Sequence, residues 1–128
     1  MHIRIVTAMF ALLAAHHSVQ ATFDTSKEIT IRGVVTKAVW TNPHALFWVD
    51  ARNDDGAVSN WELELPPPNY LKRSLGVDFI VKPNDQVTVV LWQAKDGSRL
   101  ANTLDVVFPD GRAFHFRGNP AANWEKAR

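Results

Sequence analysis

The feature that most constrains this chain is a period-two alternation that runs from Lys27 to Trp40 and breaks partway along. Ile29, Ile31, Gly33 and Val35 fall on one face and Thr30, Arg32 and Thr36 on the other, the signature of a half-buried strand. After Val35 the parity slips, and Lys37 lands on the face that had been apolar. A residue without a side chain lets a strand curl, so a bulge or sharp bend is expected near Gly33-Val34. A long first strand bent at a glycine is what a small closed barrel needs.

The rest of the chain supplies matching pieces. Ala45 to Ala51 reads as a second strand, apolar on both faces, with Phe47 and Val49 opposed by Leu46 and Trp48, so cover on both sides is expected. Asn53-Asp54-Asp55-Gly56 turns the chain into Val58 to Leu65, where Trp61, Leu63 and Leu65 point inward and Asn60, Glu62 and Glu64 outward. Pro66-Pro67-Pro68 ends that strand, because proline cannot donate to a ladder. Asn69 then reads as the N-cap of a helix of about two turns through Leu75, with Leu71 and Leu75 on one face and Gly76 as terminator.

Lys82-Pro83-Asn84-Asp85 turns into a fourth strand, Gln86 to Gln93, that places Val87, Val89 and Leu91 on one face. Asp96-Gly97 leads to Leu100 to Phe108, where Leu100, Leu104, Val106 and Phe108 oppose Ala101, Thr103 and Asp105. Asp110-Gly111 returns the chain into Ala113 to Phe116. Three strands, a short helix, two strands and a small extra hairpin predict a mainly β, OB-like five-stranded barrel with the helix between strands three and four. An open β-sandwich of the same elements is the alternative.

With 46% hydrophobic residues, the chain can bury a core without cross-links, and it has no cysteine. That excludes disulfides, thiolate metal sites and a cysteine nucleophile, so any site must use His, carboxylates, hydroxyls or backbone. Arg4 followed by the apolar run Ile5 to Ala15 reads as an export signal, too short to span a bilayer. Cleavage after Ala15 or after Ala21 fits the small-residue rule. The expected organisation is a signal peptide over 1–15 (or 1–21), one barrel domain over 16–117 and a mobile tail over 118–128 unless Trp124 docks. Periplasmic or secreted placement follows, without a membrane span once the leader is removed. Removing residues 1–15 takes away one basic residue, Arg4, and no acid, leaving 13 basic against 13 acidic residues. A neutral domain is a poor partner for nucleic acid, whose binding rests on phosphate neutralisation.

The candidate chemistry concentrates on histidines and aromatics. After cleavage at Ala15, a free α-amino group and the His16 imidazole would sit on one residue beside His17, and such an amine deprotonates near neutral pH. That pair can chelate copper or zinc, with His44 as a further nitrogen donor. Asp50 cannot join His44, since six strand residues separate them by roughly 20 Å. Trp40, Asn42 and Trp48 are the candidate surface for a small ligand or for a partner protein of the cell envelope. Glu62 and Glu64 share a face and so raise the question of an acid-base pair, although simple alternation makes them a solvated surface. His115 between Phe114 and Phe116 falls on the polar side of the last hairpin. No nucleophile elbow, phosphate loop or zinc helix occurs.

Three stretches carry a resemblance: His16-His17-Ser18 followed by Phe23-Asp24; Trp40-Thr41-Asn42-Pro43-His44 with Asp50; and Lys82-Pro83-Asn84-Asp85 with Lys95-Asp96-Gly97-Ser98. On these the chain resembles a family of small exported bacterial proteins known only as a domain of unknown function. The resemblance implies a mature start at the double histidine, hence cleavage after Ala15, and implies no chemistry. The chain departs from the family pattern at Asn84, where the family has glycine, and at Pro66-Pro67-Pro68, where it favours serine-proline. Asparagine also tolerates positive φ, so the turn is expected to survive.

Overall fold

The computed structural model describes residues 18–117. A five-residue helix, α1 (Ser18–Thr22), runs into β1 (Phe23–Trp40), an 18-residue strand that starts four residues before the alternation becomes readable. β1 serves two partners. Its first part pairs with β4 (Gln86–Ala94), from Phe23 opposite Ala94 to Val34 opposite Gln86. Its second part pairs with β2 (Ala45–Arg52), from Gly33 opposite Ala51 to Trp40 opposite Ala45.

Gly33 sits where the two ladders overlap. A Cβ there would lie 2.0 Å from the Asp50 carbonyl oxygen, so only glycine admits β2 this close. The register slip, expected at Gly33-Val34, lies instead between Val35 and Lys37, with Thr36 as the extra residue. The reason is a contact distant in sequence. The Val35 N–H donates to the Asp85 carbonyl (2.9 Å) and the Val35 carbonyl accepts from the Asn84 N–H (2.8 Å), so both its backbone groups are held by the turn before β4. Beyond that point the parity inverts: Ala38 and Trp40 pack on the core while Lys37 and Thr36 are exposed.

β2 pairs residue for residue with β3 (Val58–Leu65). Ala45, Phe47, Val49 and Ala51 are buried, as are Trp61, Leu63 and Leu65. The expectation that β2 is covered on both faces does not hold, because Leu46 and Trp48 are only half-buried and Asp50 is exposed. β5 (Leu100–Val107) runs antiparallel to β4 and parallel to β3, with Glu62 opposite Leu100 and Glu64 opposite Asn102. The β3–β5 pairing closes a ring, β1-β2-β3-β5-β4, and β6 (Ala113–His115) extends it beside β5. A second slip leaves Leu104 as the extra residue, so Ala101 and Val106 both reach the core although their parities differ. The simple alternation read for this strand is thereby corrected, and Thr103, opposite Leu91, shares the inward face.

Between β3 and β4 lies α2 (Pro68–Leu75). Proline is tolerated at a helix start, where the missing N–H would have no partner anyway, so Pro67 and Pro68 occupy the N-cap and first turn in place of the expected Asn69 cap. Tyr70 and Leu71 join the hydrophobic core, at 7% and 0% exposure, whereas Leu75 is exposed. Gly76, at φ 67°, ends the helix with its N–H on the Lys72 carbonyl. No described helix is long and apolar enough to cross a membrane.

Candidate functional site

Of the predicted metal ligands, only His44 falls among the described residues. His16 and His17 lie outside them, and no group of three His, Asp or Glu side chains there could hold an ion. His44 is half-buried at the entrance to β2, after a cis Asn42–Pro43 bond, with Asn42 itself exposed. Asp50, on the outer face of β2 where Gly33 crosses, accepts a hydrogen bond from Asn60 Nδ2 (2.8 Å).

The Thr36 bulge sorts the two candidate tryptophans onto opposite faces. Trp48 faces outward, opposite Glu62, with the Lys37 ammonium 4.9 Å above its ring. Trp40 stays on the core side at the rim and meets Phe79 edge-on, ring centres 5.6 Å apart at 67°. They form no common surface.

Phe79, in the loop that follows α2, carries the most accessible ring surface in the described chain. After Gly76 ends α2, Ile80 and Val81 anchor the loop at 5% and 2% exposure and leave Phe79 on the open side at 66%. The cleft beside it has a volume of about 350 Å³; Ala38, Trp40, Ile80 and Val81 form its apolar wall, and Lys82 and Arg112 stand at its edge. The readable signal was an aromatic placed directly before two buried β-branched residues. A cleft of this size with an apolar floor and a few polar groups is the form that small-molecule sites take.

A second region lies on the outer face. Register places Leu46, Glu64, Asn102 and Trp92 in one row across β2, β3, β5 and β4. Glu62 and Glu64 are half-buried there, contrary to the solvated surface expected of them. Burial first, and the Glu62 charge second, push the Glu64 carboxyl above its ordinary value. Asn102 Nδ2 and Trp92 Nε1 are buried donors with no acceptor among the described residues, an arrangement that costs stability.

The third region is a clasp. Arg117 donates from Nε to Asp105 Oδ2 (2.9 Å) and from its two terminal nitrogens to the carboxylate of Glu28, tying β5 to β1 across β4. His115 Nδ1 lies 2.9 Å from Asp105 Oδ1. Burial raises the Asp105 pKa, but the hydrogen bonds from His115 and Arg117 outweigh it and hold the carboxyl below its ordinary value. The hydrogen bond from Arg117 likewise lowers Glu28. Here charged groups are satisfied by one another, and a histidine read as merely polar is part of the arrangement.

No curated protein and no solved structure matches the chain. Residues 5–103 do match the model of a family of unknown function. That span holds Trp40, His44, Glu64 and Phe79, and stops short of Asp105, Arg112 and Arg117. A match over more than three quarters of the sequence is a family assignment: the chain belongs to the family of unknown function DUF6152.

Proposed function

We propose that this chain is an exported, single-domain binding module, built on an OB-like five-stranded barrel, that receives a planar apolar group in the groove beside Trp40 and Phe79. The leader-like run Ile5 to Ala15 supports export. The closed strand ring, with a helix between its third and fourth strands, supports the barrel. The observation that carries the reading is the Phe79 ring, two-thirds exposed and set edge-on to Trp40 above buried Ile80 and Val81. A loop that holds so large an apolar ring in water beside another aromatic gains from a ligand that covers both.

Titration of the mature protein with indole, followed in ¹H–¹⁵N spectra, tests this. The Trp40 indole N–H and the Ile80 and Val81 amides should shift, and Phe79→Ala should abolish those shifts. No shifts at millimolar indole, or shifts confined to other residues, would overturn the groove. The histidine reading has its own test, the mature N-terminus by mass spectrometry followed by titration with Cu(II) and Zn(II). A chain that begins at His16 and binds either metal below micromolar concentration would make chelation by His16, His17 and His44 the primary activity. A chain that begins at Thr22 removes it.

A further inference from the structure

Resting on that groove, we infer that its ligand is a planar aromatic carboxylate, the ring held against Trp40 and Phe79 and the carboxylate taken by the Arg112 guanidinium. The inference comes from asking which charged groups at the cleft are already committed. Lys82 Nζ lies 3.0 Å from Asp85 Oδ1, and the other Asp85 oxygen accepts the Lys82 N–H at 2.9 Å. Asp85 is therefore turned into its own loop, with its side chain 17% exposed.

Arg112 is different. A tight turn presents it: the Gly111 N–H donates to the Phe108 carbonyl and the Phe108 N–H to the Arg112 carbonyl. Asp110 accepts the Arg112 backbone N–H at 3.0 Å and Nε–H at 2.8 Å, using one oxygen for each. The guanidinium carbon stacks 4.6 Å from the Phe108 ring centre, and Phe108 is itself held edge-on by Phe114. The Nε–H bond to Asp110 and the stack on Phe108 thus fix the plane of the fork, while its two terminal amino groups make no hydrogen bond to any described residue.

Each cation at the cleft has a carboxylate beside it, Asp85 for Lys82 and Asp110 for Arg112, so preference for an anion comes from the unbonded terminal amino groups of Arg112 and not from net charge. An oriented guanidinium with free parallel donors beside an aromatic wall matches a flat carboxylate, which it binds through two hydrogen bonds at once. A cationic ligand would find the Asp85 and Asp110 carboxylates already engaged by Lys82 and Arg112 and is disfavoured. A neutral ring would leave the fork unused.

The test compares 2-naphthoate with its neutral isostere 2-naphthamide, by calorimetry on the mature protein and on Arg112→Gln. Naphthoate should bind at least about tenfold more tightly than the amide. Arg112→Gln should bring naphthoate to the level of the amide and leave the amide unchanged, with Arg112→Lys between them because it keeps the charge and loses the fork. Equal affinity for the two compounds in the wild-type protein overturns the carboxylate assignment while leaving the groove standing, and this comparison decides the matter even if Arg112→Gln fails to fold. Loss of binding for both compounds, with no change at Trp40, removes the groove as well.

Discussion

The two parts of β1 present opposite kinds of surface. Along the part paired with β4, Glu28 and its neighbour Asp105 are met by Arg117, so that the charges find partners within the chain. Along the part paired with β2, the strand ends at Trp40 in an open cleft, with a bare ring on one side and the uncommitted donors of Arg112 on the other. The contrast separates what the fold needs from what it offers. Satisfied polar groups stabilise and carry no ligand, whereas unsatisfied surface is tolerated where something else completes it.

The change that should break both parts together is Gly33→Ala. Its new methyl would meet the Asp50 carbonyl carbon and oxygen and the Ala51 Cα, all backbone, so no side chain can swing aside. A loss of about 3 kcal/mol or more is expected, at the upper end for single substitutions. Denaturant titration measures it, and the clasp and groove signals should disappear in one transition. An unchanged midpoint would show that β2 does not need this approach.

How much of this was legible follows from how local each cause is. The Asn84 turn was readable because asparagine tolerates positive φ, and the residue stands at φ 75°. The inward face of β3 was readable because no bulge interrupts it. The faces of Trp40 and Trp48 were not, because they depend on whether the extra residue is Gly33, Val34 or Thr36, and a hydrogen bond from Val35 to a turn some fifty positions later decides that. In β5 the same kind of slip at Leu104 defeated simple alternation. The Arg117–Glu28 contact spans most of the sequence and leaves no periodic trace, so the clasp was invisible before folding. Of the residues that line the cleft, Trp40 was legible as a candidate, while Asn42 and Trp48 do not line it; Phe79 and Arg112 were not legible, since each is placed by burial of its neighbours.

Arg117→Ala isolates the clasped part. Asp105 would keep His115 but lose the charge-assisted hydrogen bond from Arg117. After allowance for solvent screening the expected loss is about 1 kcal/mol, with the groove spectra unchanged. The pH dependence follows from the sign of the shift. Asp105 and Glu28 lie below their ordinary values of 3.8 and 4.5, so the contribution is complete above that range and is lost as pH falls through the lowered values. The difference between wild type and variant should therefore be full at neutral pH and close in acid. A gap that persisted there would show that Arg117 acts through packing.

Glu64 carries the opposite sign, which sharpens the contrast on one and the same outer surface. Its pKa is raised by burial and by Glu62, so its favourable contribution is present below 4.5 and is lost as pH rises through the raised value. Glu64→Gln, neutral at every pH, should be more stable than wild type at neutral pH by an amount within roughly 1 kcal/mol, and equal to it in acid. Thermal melts across that range decide. A destabilised variant at neutral pH would mean that the carboxylate has a partner in solution, for which the buried amide of Asn102 in the adjacent strand is the nearest donor by register.

The smallest effect on stability belongs to the residue with the largest effect expected on binding. Phe79 is 66% exposed, so truncation to alanine returns little buried apolar area to water. It forfeits one edge-on contact with Trp40, and an exposed pair of that kind lies within about 1 kcal/mol. Phe79→Ala should thus melt close to wild type while losing its response to indole. A large drop in melting temperature would identify Phe79 as a lid over Ile80 and Val81, place it with Arg117 among the groups the fold needs, and leave the Trp40 end with no surface reserved for a ligand.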